Sequence, residues 1–247
     1  MAIISKLSAT IDADRNHPLR SKPIIAADRR ISMYHEVVSR EAWLAARGDL
    51  LRKEKAHTQA RADLAEERRR LPWLKLDKTY SFAGPSGDVD FAELFAGQSQ
   101  LVVYHLMFGP DWQRPCIGCT SWANAFNGTT YQFEHADAQL VAVSRAPYAQ
   151  LANTAAELGW SFPWFSSFNS EFNYDYYASS HELGESTIMN ENGERLEFDR
   201  GENHGVSVFT RDESGTIYQT YSAFNRGIED LNGAFGYFDL LPQGRAW

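Results

Sequence analysis

The sequence contains two cysteines, Cys116 and Cys119, and together they form one C-x-x-C. Two cysteines in 247 residues cannot staple a fold, so the pair calls for a chemical explanation. Cys116 lies where the apolar run LVVYHLMF (101–108) passes through the loop GPDWQRP into a helix-forming stretch. A cysteine at a helix N-terminus meets unpaired backbone N–H groups and the positive end of the helix dipole, and both favour its thiolate. The second cysteine follows one turn later, buried under the first and near enough to close a small-ring disulfide. Cys116 is therefore expected to be the exposed nucleophile and Cys119 the resolving thiol. Pro115 should fix the approach, and Gly118 should relieve the tight first turn. Half of a zinc site has the same spacing, but such a site needs a second ligand pair and no other cysteine exists. No cofactor is expected.

Strand-like and helical stretches alternate around this motif. Residues 101–108 have the continuous apolar, β-branched and aromatic character of a buried parallel strand. Thr120 to Phe133 reads as a helix bent at Asn127-Gly128, QLVAVS (139–144) as a second buried strand, and Pro147 to Leu158 as a helix with proline in its first turn. VSVFT (206–210), the turn DESG and TIYQTY (216–221) predict a hairpin, and Ile228 to Leu240 a closing helix. Upstream, Tyr80-Ser81-Phe82 with Gly84-Pro85-Ser86-Gly87 predicts a strand and turn, and Asp90 to Phe95 a short helix. The order predicts a mixed α/β sheet with helices on both faces. Nine of the eighteen residues from Trp160 to Tyr177 are aromatic. They are expected either to fold over the sheet edge or meet a partner subunit, or to wall a substrate groove.

The N-terminal third differs in character. Residues 1–36 lack an apolar period and read as an arm. Ser39 is a candidate N-cap with Glu41 in the first turn. From there to Arg70 the chain is rich in helix formers, and Trp43, Leu50, His57, Leu64 and Leu71 recur every seven residues. The period predicts one long helix, or two broken near Gly48, ended by Leu71-Pro72. The expected division is an arm (1–36), a helical extension (37–72) and a main domain (73–247).

The net charge of −8 hides an uneven distribution. Residues 40–70 carry nine basic and six acidic side chains, whereas residues 71–247 carry nine basic and twenty-two acidic, a local net of −13. This balance argues against a nucleic-acid partner, because phosphate contacts need clustered Lys and Arg. It favours docking of the basic helix on its own acidic domain or on a sister subunit, so a homodimer is expected. The longest apolar run is too short to span a bilayer and no signal-peptide pattern opens the chain; no membrane partner is expected, and the location is read as cytoplasmic.

Several stretches together resemble a widespread bacterial family of thioredoxin-like proteins known as predicted dithiol-disulfide isomerases. They are EVVSREAWLAARGDLLRKEKAHTQARADLAEERRRLPW, VYHLMFGPDW followed by the C-x-x-C, VAVSRAP, and GWSFPWFSSFNSEFNYDY. The resemblance spans roughly residues 36–245. It implies a thioredoxin-like sheet flanked by helices, with an N-terminal helical extension. Two departures from thioredoxin stand out. Ile117-Gly118 separates the cysteines where thioredoxin has Gly-Pro. The cis-proline that thioredoxin holds opposite its thiols is absent, and His204-Gly205-Val206-Ser207 occupies that place, so that His204 or Ser207 could face the thiols. A metal-binding or redox-sensing module using Cys116, Cys119 and His204 is the non-enzymatic alternative.

Gly118-Cys119-Thr120 also resembles the peroxidatic region of some peroxiredoxins. In that alignment Cys119 attacks, Cys116 takes the place of the motif threonine, and Trp112 stands where its proline is expected. Arg145, after the second strand, is a candidate positive charge near a thiolate, and Asp111 a candidate proton acceptor. The expected function is thiol–disulfide exchange, with a thiol peroxidase as the alternative. The partners are accordingly a disulfide-containing or peroxide substrate and a thiol electron donor.

Overall fold

A computed structural model describes residues 35–181 and 201–244, so the expected arm lies almost wholly outside the described residues. The chain opens with α1 (Arg40–Arg69). The Ser39 hydroxyl accepts from Ala42 N–H at 3.2 Å, and Glu41 sits in the first turn, as the sequence signals require. The helix runs unbroken through Gly48. Its heptad stripe does not pack on the main body, however: α1 has no buried residue, and Trp43, Leu44, Leu50, Leu51 and Leu64 are exposed.

The body is built on one eight-stranded sheet. Its strands are β1 (Leu74–Lys75), β2 (Ser81–Gly84), β3 (Gly87–Asp90), β4 (Gln100–His105), β5 (Ala138–Ser144), β6 (Trp164–Ser166), β7 (Gly205–Arg211) and β8 (Ile217–Phe224), in the spatial order β1-β8-β7-β4-β5-β6-β2-β3. The apolar runs 101–108 and 139–144 become the parallel central pair β4 and β5, joined by a crossover. The hairpin β7–β8 lies antiparallel beside β4. The order β8-β7-β4-β5, with the crossover helices between β4 and β5, is the thioredoxin-like arrangement.

Two cores flank the sheet. On one face Tyr104, Leu106 and Val206 meet Cys119 and Trp122 of α2 (Ile117–Ala123), Leu151 of α4 (Tyr148–Leu158) and Phe235 of α6 (Gly233–Phe238). On the other, Leu101, Val103, Val141 and Val143 meet Phe91, Leu94 and Phe95 of a 3-10 helix (Phe91–Phe95) and Phe172 of α5 (Phe172–Asp175). Alternate residues of β4 and β5 thus face opposite cores, as a strand buried on both sides demands.

The helix expected over 120–133 divides into α2 and α3 (Thr130–His135). The cause is Asn127, whose amide donates to Gly159 O at 2.8 Å and whose carbonyl accepts from Ser161 N at 2.9 Å. That side chain ties the break to the start of the aromatic stretch. The closing helix expected over 228–240 is likewise divided, into a 3-10 turn at Glu229–Leu231 and α6 over Gly233–Phe238.

The aromatic stretch closes the fold from both sides. Trp160, Phe162 and Trp164 enter the first core, Phe172 and Tyr176 the second. Residues 160–165 and α4 do wall a groove of about 480 Å³, but none of the candidate site residues lines it. No described helix is long and apolar enough to cross a membrane.

Candidate active site

The thiol site forms where β4 ends and α2 begins. Gly109, Pro110, Asp111 and Trp112 make a tight turn, closed by Trp112 N–H on Gly109 O at 3.1 Å. Gly109 leaves little room there, because a Cβ would meet the Trp112 ring at 3.0 Å and the Glu202 carboxylate at 3.4 Å, and those side chains would have to shift. The chain then returns, and Cys116 N–H donates to Met107 O at 3.0 Å. This bond sets Cys116 as the N-cap of α2, with its carbonyl accepting from both the N–H and the hydroxyl of Thr120.

The two cysteines are free thiols in unlike surroundings. Cys116 is half-buried, and its pKa is lowered from 9.0 to about 5. The largest cause is the hydrogen bond from the Cys119 thiol; the backbone N–H groups of Cys119 and Gly118 and the charge of His204 add to it, against the cost of burial. Cys119 is only 2% exposed. Donating to Cys116 and being buried both push its pKa far up, so its thiol stays protonated. Gly118 is not needed for space here: an added Cβ would lie 3.8 Å from the Cys116 sulfur, an ordinary contact.

Of the supporting residues read from the sequence, His204 joins the thiols. The β4–β7 ladder ends at His105↔Gly205, so His204 stands one residue past it, close enough to Cys116 for the two charges to interact. The described residues contain no cis peptide. Burial lowers the pKa of His204, opposed by the charges of Cys116 and Glu229. Trp112 packs half-buried against the same core as Cys116, and its carbonyl accepts from Gln150 at 2.5 Å.

The remaining three do not reach the thiols. Asp111 is exposed at the tip of its turn. Ser207 lies on the far face of the sheet, where its hydroxyl meets His105 Nε2 at 2.8 Å; the strand alternation that sends Val206 toward Cys119 turns Ser207 away. Arg145 is spent on Glu202, whose Oε1 it contacts through Nε at 2.7 Å and Nη2 at 2.5 Å, and it also donates to the Tyr174 hydroxyl. Its charge is thus neutralised within the body instead of being offered to Cys116. Glu202 is held from the other side by the Ser179 hydroxyl at 2.8 Å.

Sequence reasoning passed over Glu202, Tyr174, Glu229 and Tyr104. An acid set between glycine and asparagine in GENHG was a signal for a buried partner to Arg145. The two-residue alternation of β4 was a signal for Tyr104, which must share the thiol-side face with Leu106. Among the described residues no group of three or more His, Cys, Asp or Glu is arranged to hold a metal ion.

The profile of a family described as "Bacterial protein of unknown function (DUF899)" matches residues 32–247, and the chain belongs to that family. No curated protein matches it. Solved structures similar to it include a mutant of peroxiredoxin Q from Xanthomonas campestris (18% identity, 64% of this chain and 90% of that one, TM-score 0.42). Another is the bacterioferritin comigratory protein of the same organism, described for its alkyl peroxide reduction activity (19% identity, 58% and 79%, TM-score 0.41). A third is the peroxidoxin BcpB from Mycobacterium tuberculosis (15% identity, 60% and 80%, TM-score 0.39).

Proposed function

We propose that this member of the DUF899 family is a thiol–disulfide oxidoreductase, with Cys116 attacking and Cys119 resolving. The asymmetry of the pair carries the reading: the half-buried thiol is acidic, and the buried one is the donor that makes it so. The Cys116 thiolate attacks one sulfur of a substrate disulfide, and the other sulfur leaves as a thiolate that takes a proton from water. The mixed disulfide is then attacked by Cys119 at the Cys116 sulfur. The second substrate thiol is released, the protein becomes the Cys116–Cys119 disulfide, and a thiol donor reduces it back.

Disulfide reduction on an insulin-type substrate tests this. Cys116→Ser should abolish turnover, while Cys119→Ser should accumulate a covalent adduct visible by mass spectrometry. Adduct formation that survives Cys116→Ser and vanishes with Cys119→Ser would overturn the reading.

The same thiolate supports a second reading, a thiol peroxidase. Cys116 would attack a peroxide oxygen, releasing water or an alcohol, and the sulfenic acid would condense with Cys119 to the disulfide and a second water. The attacking role is thereby given to Cys116 and not to Cys119, whose burial and protonation unfit it for a first attack. Hydrogen-peroxide consumption by the two Cys→Ser variants separates this reading from the first.

The partner reading rests on α1. A helix of thirty residues without a single buried side chain lacks the packing that usually stabilises helices. The twenty residues before Arg61, its ion-pair contact with Asp230 at 3.7 Å, span about 30 Å. A second copy of the chain fits as the cover, since a basic helix meets an acidic body. A dimer mass by light scattering is the expected result. A monomer, including one in which residues 1–34 cover the helix, overturns it.

A further inference from the structure

One polar atom of the thiol site stands against Cys119 without a well-formed hydrogen bond. The Tyr104 side chain is 1% exposed, and among the described residues its hydroxyl makes no hydrogen bond of good geometry, the Cys119 thiol being the polar group it is set toward. Its ring is clamped by two side chains from the cysteine helix and the turn after it: Trp122 stacks on it at 6.0 Å, with planes 5° apart, and Phe126 meets it edge-on at 5.2 Å. The hydroxyl therefore cannot swing to water, and a buried hydroxyl without a well-formed hydrogen bond is costly to keep. It lies beside Cys119, in the same core. Phenylalanine would fill the same space without that cost.

The resolving step needs what this hydroxyl offers. Cys119 must become a thiolate while buried, and once Cys116 is tied up in a mixed disulfide it no longer accepts the Cys119 proton's hydrogen bond. The groups around Cys119 are few. On α2 it faces Cys116, on the loop before α2 the Met107 backbone, and on β4 Tyr104. His204, just before β7, interacts with Cys116 and with Glu229, and Glu202 is already taken by Arg145. Among the described residues no carboxylate stands against Cys119 to take its proton.

We propose that Tyr104 is the hydrogen-bond donor to the Cys119 thiolate in the resolving step, and that its hydroxyl is left without a well-formed hydrogen bond in the dithiol for that purpose. The inference rests on the dithiol reading above. In the step, the Cys119 proton leaves through the opened substrate site and ends on the departing substrate thiolate. The new bond is Cys119 Sγ to Cys116 Sγ, and the bond broken is Cys116 Sγ to the substrate sulfur. Tyr104 keeps its own proton throughout, because burial, followed by the neighbouring Cys119, holds its pKa well above the ordinary phenol value. A charge-assisted bond of this kind is stronger than a neutral one and forms only when the thiolate exists.

The test isolates the second step. Cys116 is loaded as its mixed disulfide with 5-thio-2-nitrobenzoate, and release of the coloured thiol is followed by stopped flow across pH. Tyr104→Phe is expected to release it about tenfold more slowly at neutral pH, with the profile moved up by about one unit. The alkylation profile of Cys116 in the free dithiol should be retained, and the melting temperature should stay or rise, because a buried hydroxyl without a well-formed hydrogen bond has been removed. Unchanged release and an unchanged pH profile would overturn the proposal. So would a lower melting temperature, which would mean that the hydroxyl has a structural partner. If Cys119→Ser releases the coloured thiol as fast as the unaltered protein, the dithiol reading itself fails, and the Tyr104 role with it.

Discussion

The body around the thiols and the helix α1 both carry ion pairs and leucines, yet those side chains stand in opposite situations. Arg145 and Glu202 pair with 18% and 2% of their side chains exposed. Arg52 and Asp49 pair on α1 with 75% and 69% exposed. Leu151 is fully buried among aromatic rings, while Leu50 is 51% exposed. The difference teaches that composition and even contact geometry do not set a residue's weight; the water displaced around it does. Charges and apolar groups in the body are committed, and those on α1 are still available to something else.

The ion pairs give the largest expected contrast. Removing one partner of a buried pair strands the other charge, so Glu202→Ala should cost about 3–5 kcal/mol in chemical denaturation. Asp49→Ala on α1 should cost less than about 0.5 kcal/mol, since exposed pairs contribute little. Equal losses would mean that α1 is as well packed as the body, and the contrast would fall.

Leucine truncations come next, and they sharpen the contrast in another way. Leu151→Ala should destabilise by about 2–5 kcal/mol at any protein concentration, because it opens a cavity. Leu50→Ala should leave the unfolding of a dilute sample within about 0.5 kcal/mol. If a second copy covers α1, the loss reappears as a weaker dimer in concentration-dependent light scattering. A Leu50→Ala protein that unfolds early at every dilution would place that leucine in an intramolecular contact.

Much of the body was legible in the sequence because strand alternation and apolar runs report burial directly. The runs 101–108 and 139–144 became β4 and β5, and the hairpin over 206–221 became β7–β8, extended by a few residues. Ser39 was legible as a cap for the same local reason. The break at Asn127 was visible, but its cause lies thirty residues away, in the carbonyl of Gly159. The C-x-x-C and His204 could be read from spacing and position. The partner of Arg145 could not, because nothing local ties residue 145 to residue 202. Position within β7 misled for Ser207, since one residue of register decides which face a side chain takes. The heptad stripe of α1 was read correctly as a stripe; what covers it is not encoded in its period.

The thiol chemistry gives the next expected effect, and its sign can be worked out. With a pKa of about 5 in the folded dithiol against an ordinary 9.0, Cys116 favours folding wherever it is ionised only in the folded state. Its contribution is complete above pH 9, shrinks below that and is gone once the pH falls through 5. Iodoacetamide alkylation of Cys116 should follow a midpoint near 5, and Cys119→Ala should move that midpoint upward, because the leading hydrogen bond is lost. A midpoint that stays near 9 in the unaltered protein would remove the chemical half of the contrast.

The smallest effect probes whether the two regions are one cooperative unit. Gly48 lies inside α1, and a Cβ added there meets nothing within 4 Å. Gly48→Ala should therefore stabilise the helix by about 1 kcal/mol through backbone entropy alone. That is about fivefold slower amide exchange over residues 40–60, if these amides exchange by local opening. The denaturation midpoint of the body should not move, and neither should Cys116 alkylation. A body that gains the same free energy would mean that α1 cannot open unless the sheet does, although none of its side chains is buried. In that case its anchors, Arg61 on Asp230, Arg68 over the Tyr221 ring and the short β1–β8 pairing, would couple the helix far more tightly than their exposure suggests. Slower exchange on α1 with an unmoved body would leave the helix as a separate element, free to be organised by a second copy.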